Sequence, residues 1–115
     1  MQETIRQAFD PHARIFKALG HPARLFIVHQ LSLRGECGVG HLRDALELDM
    51  STVSKHLSVL REAGVVASTK RGSAVLYRVA MPCVPHFMDC VDAARRGEEA
   101  EPACDCAAQS TLKGS

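Results

Sequence analysis

Met50-Ser-Thr-Val-Ser-Lys-His-Leu-Ser-Val-Leu-Arg-Glu-Ala-Gly64 reads as one helix with two unlike faces. At 100° per residue, Val53, Leu57 and Leu60 share a narrow stripe, while Ser51, Ser54, Lys55 and Ser58 gather opposite. The polar face carries no carboxylate before Glu62. A merely solvated face usually mixes Glu with Lys, because such pairs support the helix. Small hydroxyls beside a cation suit close approach to phosphates and base edges instead. Taken alone, the segment also reads as an ordinary amphipathic surface helix. Its neighbours decide between the two readings.

Upstream, Val39, Leu42 and Leu46 stand at helical spacing, so a short helix is expected from about residue 39 to 46, with Asp49 placed to cap the helix that follows. Two helices with a three-residue joint make a helix-turn-helix. Downstream, Gly64 ends the second helix and the period changes. Residues 65–69 and 74–79 are β-branched and aromatic runs joined by Lys70-Arg71-Gly72-Ser73, a hairpin with a cationic tip. A helix-turn-helix followed at once by a basic hairpin is the order of a winged helix, in which the wing meets phosphates beside the groove. A structural hairpin with a soluble tip is the plainer reading of Lys70 and Arg71.

Farther out, a helical stretch runs to Leu19 with an expected interruption at Asp10-Pro11, and Ile5, Phe9, Ile15, Phe16 and Leu19 supply its apolar side. Gly20-His21-Pro22 ends that helix and starts another, which Arg34-Gly35 closes. A last helix is expected from residue 82 to about 96, with Val84, Phe87, Met88 and Val91 on its apolar side and Cys83 and Cys90 at that side's edge. The chain is thus mainly α with a β-hairpin. Residues 1–96 form the winged-helix domain, and 97–115 form an acidic tail expected to be flexible.

The chain has 115 residues, 46% of them apolar, enough for one domain and a modest core that dimerisation would complete. Residues 1–9 hold no continuous apolar run, so neither a signal peptide nor a membrane span is expected and the chain is placed in the cytoplasm. Net charge is only +1, but its distribution is uneven. Between residues 50 and 80, Lys55, Arg61, Lys70, Arg71 and Arg78 face Glu62 alone, whereas Glu98, Glu99, Glu101 and Asp105 gather in the tail.

Four motifs carry a resemblance. Leu19-Gly-His-Pro-Ala-Arg-Leu25, Ser51-Thr-Val-Ser-Lys-His-Leu57, Leu60-Arg-Glu-Ala-Gly-Val65 and the hairpin ending in Tyr77-Arg78 resemble the ArsR/SmtB family of bacterial metal-sensing repressors over roughly residues 13 to 80. The resemblance implies a homodimer joined through the first and last helices, bound to two-fold symmetric operator DNA and released by an inducer. By position, Ser51, Thr52, Ser54, Lys55 and His56 would meet the major groove, and Lys70 and Arg71 would form the wing.

The chain departs from the family pattern where many members bind metal. Glu36-Cys-Gly-Val-Gly-His-Leu42 puts glycines at both thiolate positions of the first reading helix. The last helix offers His86, Asp89 and Asp92 without the spacing of zinc-sensing members, and Glu47 stands where the family usually has a glycine. What is left for sensing is cysteine. Five cysteines without a secretory signal argue against a disulfide framework. Cys104-x-Cys106 has no packing reason to lie in a polar tail, and Cys90 would supply a third sulfur. Three thiolates suit As(III) or Sb(III), which form pyramidal bonds to sulfur. Cys37 and Cys83 read as small buried hydrophobes, with Cys90 open to either role. No obligatory cofactor is expected. A thiol-based redox or persulfide sensor on the same fold is the alternative, for example through Cys90 and Cys104, as is a cadmium or zinc sensor. No phosphate loop or nucleophile motif supports an enzyme.

Overall fold

A computed structural model describes residues 1–98, which contain five helices and three short strands. The chain divides into two compact units, Met1–Ala80 and the segment from Met81 onward. In the first unit the order is α1 (Glu3–Leu19), α2 (Pro22–Arg34), β1 (Cys37–Gly38), α3 (Val39–Leu46), α4 (Met50–Glu62), β2 (Val66–Arg71) and β3 (Ala74–Val79). The second unit holds α5 (Cys83–Arg95).

The core of the first unit forms where apolar stripes of three helices converge. Ile27, Val28 and Leu31 of α2, Leu42 of α3 and Val53, Leu57 and Leu60 of α4 are all buried, at 0–1% exposure. Val65 and Val66 extend this core into the hairpin, and Ala18 and Leu19 close it from α1, which packs on α2 and α4. Each fully buried aliphatic side chain contributes about 1.5–3 kcal/mol relative to exposure, so the stripe of α4 holds the helix in one rotational setting. Its polar side is turned outward as a consequence.

Helix ends follow local chemistry. Pro22 occupies the first turn of α2, where its missing N–H costs nothing, and His21 caps that helix by accepting the Ala23 N–H on Nδ1 at 3.1 Å. Gly35, at φ +85°, ends α2 in a conformation that side chains resist. Asp49 caps α4 as the sequence indicates, accepting the Thr52 N–H at 3.2 Å. In α5, the Gly97 N–H returns to the Ala94 carbonyl and the Glu98 N–H to that of Ala93, with Gly97 at φ +78°.

Three expectations change. First, α1 runs unbroken through Pro11 for 17 residues. The fixed φ of proline is already helical, and the lost hydrogen bond falls where the helix is exposed, so the Asp10-Pro11 interruption does not occur. Second, the hairpin strands continue to Arg71 and resume at Ala74, leaving Gly72-Ser73 as a two-residue turn, so Lys70 and Arg71 end β2 instead of forming the loop. Third, a third strand exists. β1 pairs antiparallel with β3, Cys37 opposite Tyr77, giving the sheet order β1-β3-β2.

The turn between α3 and α4 carries a local cost. Glu47 sits at φ 55°, ψ 37° and is the one non-glycine residue of positive φ among those described. Glu47→Gly relieves the left-handed strain but adds freedom to the unfolded chain, and the net expectation is a gain of about 0.5–1 kcal/mol. An unchanged or lowered urea midpoint would contradict this assignment of strain.

Candidate nucleic-acid interface

The outer face of α4 is as polar in space as in sequence. Ser51, Ser54 and Lys55 are exposed, and Thr52 and His56 are half-buried at its edge. At the wing, Lys70 and Arg71 are both exposed. Arg71 Nη2 lies 3.4 Å from Glu36 Oε1 in a solvent-facing pair, an interaction of about 0–1 kcal/mol that a phosphate can replace at little cost. Arg78 instead donates from Nη1 to Thr69 Oγ1 at 2.6 Å across the hairpin, so it braces the wing.

The beginning of α4 is more organised than its spacing suggests. The Asp49 carboxylate receives the Thr52 N–H, the Thr52 hydroxyl at 2.6 Å on Oδ1, and the Ser51 hydroxyl on Oδ2. Those donors, the Ser51 hydroxyl first, hold the Asp49 carboxyl well below the usual carboxylate range, so it is ionised at any physiological pH. Sequence reasoning identified the cap and missed the hydroxyls. Its signal was present in Asp49-x-Ser51-Thr52.

His56 also has a partner that its position does not reveal. Its ring lies 4.5 Å, centroid to centroid, from that of His21, the capping residue of α2. Desolvation first, then the charges of His21 and Arg24, push the His56 imidazole below its ordinary value of 6.5. His56, expected at the major groove, therefore stands at the edge of the candidate interface as a half-buried neutral ring packed beside His21.

The cysteines separate by environment. Cys37 is 5% exposed on β1, and burial pushes its thiol up against the opposing charge of Arg34, which leaves it a protonated packing residue. On α5, Cys83 is exposed and Cys90 half-buried. Cys104 and Cys106, the other two expected metal ligands, lie outside the described residues, as does the rest of the tail from residue 99. Among the described residues no three His, Cys, Asp or Glu side chains come together as a metal site.

Comparisons with known proteins agree with this geometry. Residues 21–68, from the cap of α2 into β2, match the description "Bacterial regulatory protein, arsR family". The chain is 40% identical over 96 residues to the transcriptional repressor SmtB of Mycobacterium tuberculosis, covering 83% of this chain and 69% of that protein. It is 34% identical over 86 residues to a transcriptional regulator of Methanocaldococcus jannaschii, MJ1325, covering 75% of this chain and 97% of that one. The chain belongs to the ArsR family of bacterial regulatory proteins. Its winged helix-turn-helix also superposes on the homodimeric DNA-binding domain Mb0332 of Mycobacterium bovis, solved in solution, with a TM-score of 0.71 at 27% identity over 84% of this chain and 88% of that one. This ArsR-family chain is a regulator and not an enzyme. No helix among the described residues is long and apolar enough to cross a membrane.

The lowered His56 pKa has a pH consequence. The unfolded chain binds a proton near pH 6.5 more readily than the folded chain does, so the contribution of neutral His56 is complete above that pH and lost as pH falls through the folded value. Urea unfolding is expected to show stability declining from pH 7 to pH 5, and the decline should be shallower in His56→Asn. Equal slopes for the two proteins would show that His56 does not carry the effect.

Proposed function

We propose that this ArsR-family chain is a homodimeric transcriptional repressor that binds operator DNA and is released by a thiophilic inducer, As(III) or Sb(III), held by cysteine thiolates. The observation that carries the DNA reading is the exposed hydroxyl-and-lysine face of α4, set by a buried apolar stripe and flanked by the cationic end of β2. On this reading Ser51, Thr52, Ser54, Lys55 and His56 lie in the major groove and Lys70 and Arg71 on backbone phosphates.

The dimer reading rests on α1. Ile5 and Phe9, one turn apart on the same side of the helix, are 47% and 63% exposed. A face so apolar fits a second copy, and two-fold pairing presents two reading helices to half-sites about 34 Å apart. Phe9→Glu is expected to shift the dimer to monomer in sedimentation equilibrium and to weaken operator binding with it. A dimer unaffected by this change would place the interface elsewhere.

Sensing is assigned to Cys90, Cys104 and Cys106, a soft donor set without a hard ligand among them. The chemistry of the set supports it: Cys37 is protonated and buried, whereas the polar sequence around Cys104-x-Cys106 gives no packing reason for two thiols. Inducer binding that disfavours the DNA-matching dimer geometry by about 1–3 kcal/mol weakens DNA affinity roughly 5- to 150-fold, and DNA weakens inducer binding equally. Fluorescence anisotropy of operator DNA titrated with arsenite under reducing conditions tests this. Release is expected for the wild type and not for Cys104→Ser/Cys106→Ser. Release in both proteins moves the site to other thiols, and release by polysulfide or peroxide alone replaces the arsenic reading with a redox one.

A further inference from the structure

The hydrogen-bond arrangement at the start of α4 constrains what that surface can recognise. A serine or threonine hydroxyl has one hydrogen to donate and two lone pairs to accept with. The hydrogens of Ser51 and Thr52 are both committed to the Asp49 carboxylate, as is the Thr52 N–H. An ionised carboxylate has nothing to donate. Outward, the three side chains therefore present only lone pairs and one negative charge, and Asp49 and Ser51 are exposed. The usual partner of a helix N-terminus, a phosphate, is itself an acceptor and an anion. Asp49 already occupies that position.

Resting on the DNA-binding reading above, we infer that Asp49 is a specificity-determining residue: it turns Ser51 and Thr52 into acceptors that read exocyclic amino groups of bases and exclude a backbone phosphate from the start of α4. In the major groove such donors are adenine N6 and cytosine N4, whereas guanine presents only acceptors at O6 and N7. A base pair facing these residues is therefore read by which strand carries its amino group. Guanine on the near strand meets three acceptors and is rejected, because an unpaired acceptor buried against another is costly. Lys55, one turn farther along α4, is the donor that complements them. This division differs from the sequence expectation that the hydroxyls of this face serve phosphates and bases alike.

The test begins with a duplex selected by the full wild-type chain from a randomised library. Each adenine of that duplex is then replaced by purine and each cytosine by pyrimidin-2-one, one position at a time, which deletes single amino groups from the groove. Wild-type affinity is expected to fall about 5- to 150-fold at one or two positions per half-site and to change little elsewhere. Asp49→Asn keeps the cap and the side-chain size while removing the charge and supplying a donor. It is expected to lose that sensitivity, to tolerate guanine at the same positions, and to bind non-specific DNA more tightly than the wild type. Thermal melting checks that the variant is folded, and where it binds too weakly to scan, the wild-type profile decides. A wild-type profile flat at every amino group overturns the inference while leaving the repressor reading intact, as does an Asp49→Asn profile identical to the wild type. Failure of the wild type to select any duplex overturns the repressor reading itself.

Discussion

The structure depends on burying three side chains of α4. Val53, Leu57 and Leu60 are inside the first unit at 0–1% exposure, and they contact a core assembled from α2, α3 and the base of the hairpin. A helix anchored along one stripe has no freedom to roll, so whatever lies opposite that stripe is presented to solvent in a fixed order. The setting of the outer face is therefore inherited from packing. The same burial explains how so small a domain holds an outward polar face in one fixed orientation.

Electrostatics then refines what packing presents. The cations of the first unit's reading face and wing are at the surface, at Lys55, Lys70 and Arg71, where counter-ions are easily exchanged. One negative charge, Asp49, is placed among them, satisfied by three donors from its own helix. The arrangement stabilises α4 through its cap and macrodipole. It also spends the donor capacity of two residues that otherwise look like general-purpose contacts. Structural and recognition roles thus compete for the same hydrogens, and here the structural role takes them. His56 shows a similar competition, since burial, with the charges of His21 and Arg24 beside it, holds below its ordinary value the imidazole of a residue that the resemblance places at the major groove.

Family membership leaves the signal to be read from this chain's own residues. At the start of α3 the chain has glycine at 38 and 40, and Cys37 is folded into the short strand β1. Among the described cysteines, Cys83 and Cys90 lie on α5, outside the first unit that carries α3 and α4.

Much of the architecture was legible in the sequence. Periodicity, Pro22, Gly35, Asp49 and Gly64 define α2, α3, α4 and their joints to within a residue or two, because each of these signals acts within a few residues of itself. The hairpin was legible for the same reason. Tertiary structure decided the rest. β1 is two residues long, has no period to detect and exists because β3 offers it an edge. The continuity of α1 through Pro11 depends on that turn being exposed, where the missing hydrogen bond costs little, and the left-handed Glu47 depends on the two helices it joins. The ring contact of His56 with His21 joins residues far apart in the chain, and the commitment of the Ser51 and Thr52 hydroxyls to Asp49 depends on side-chain rotamers. Spacing alone specifies neither, because it records which residues share a face and not where each hydrogen points.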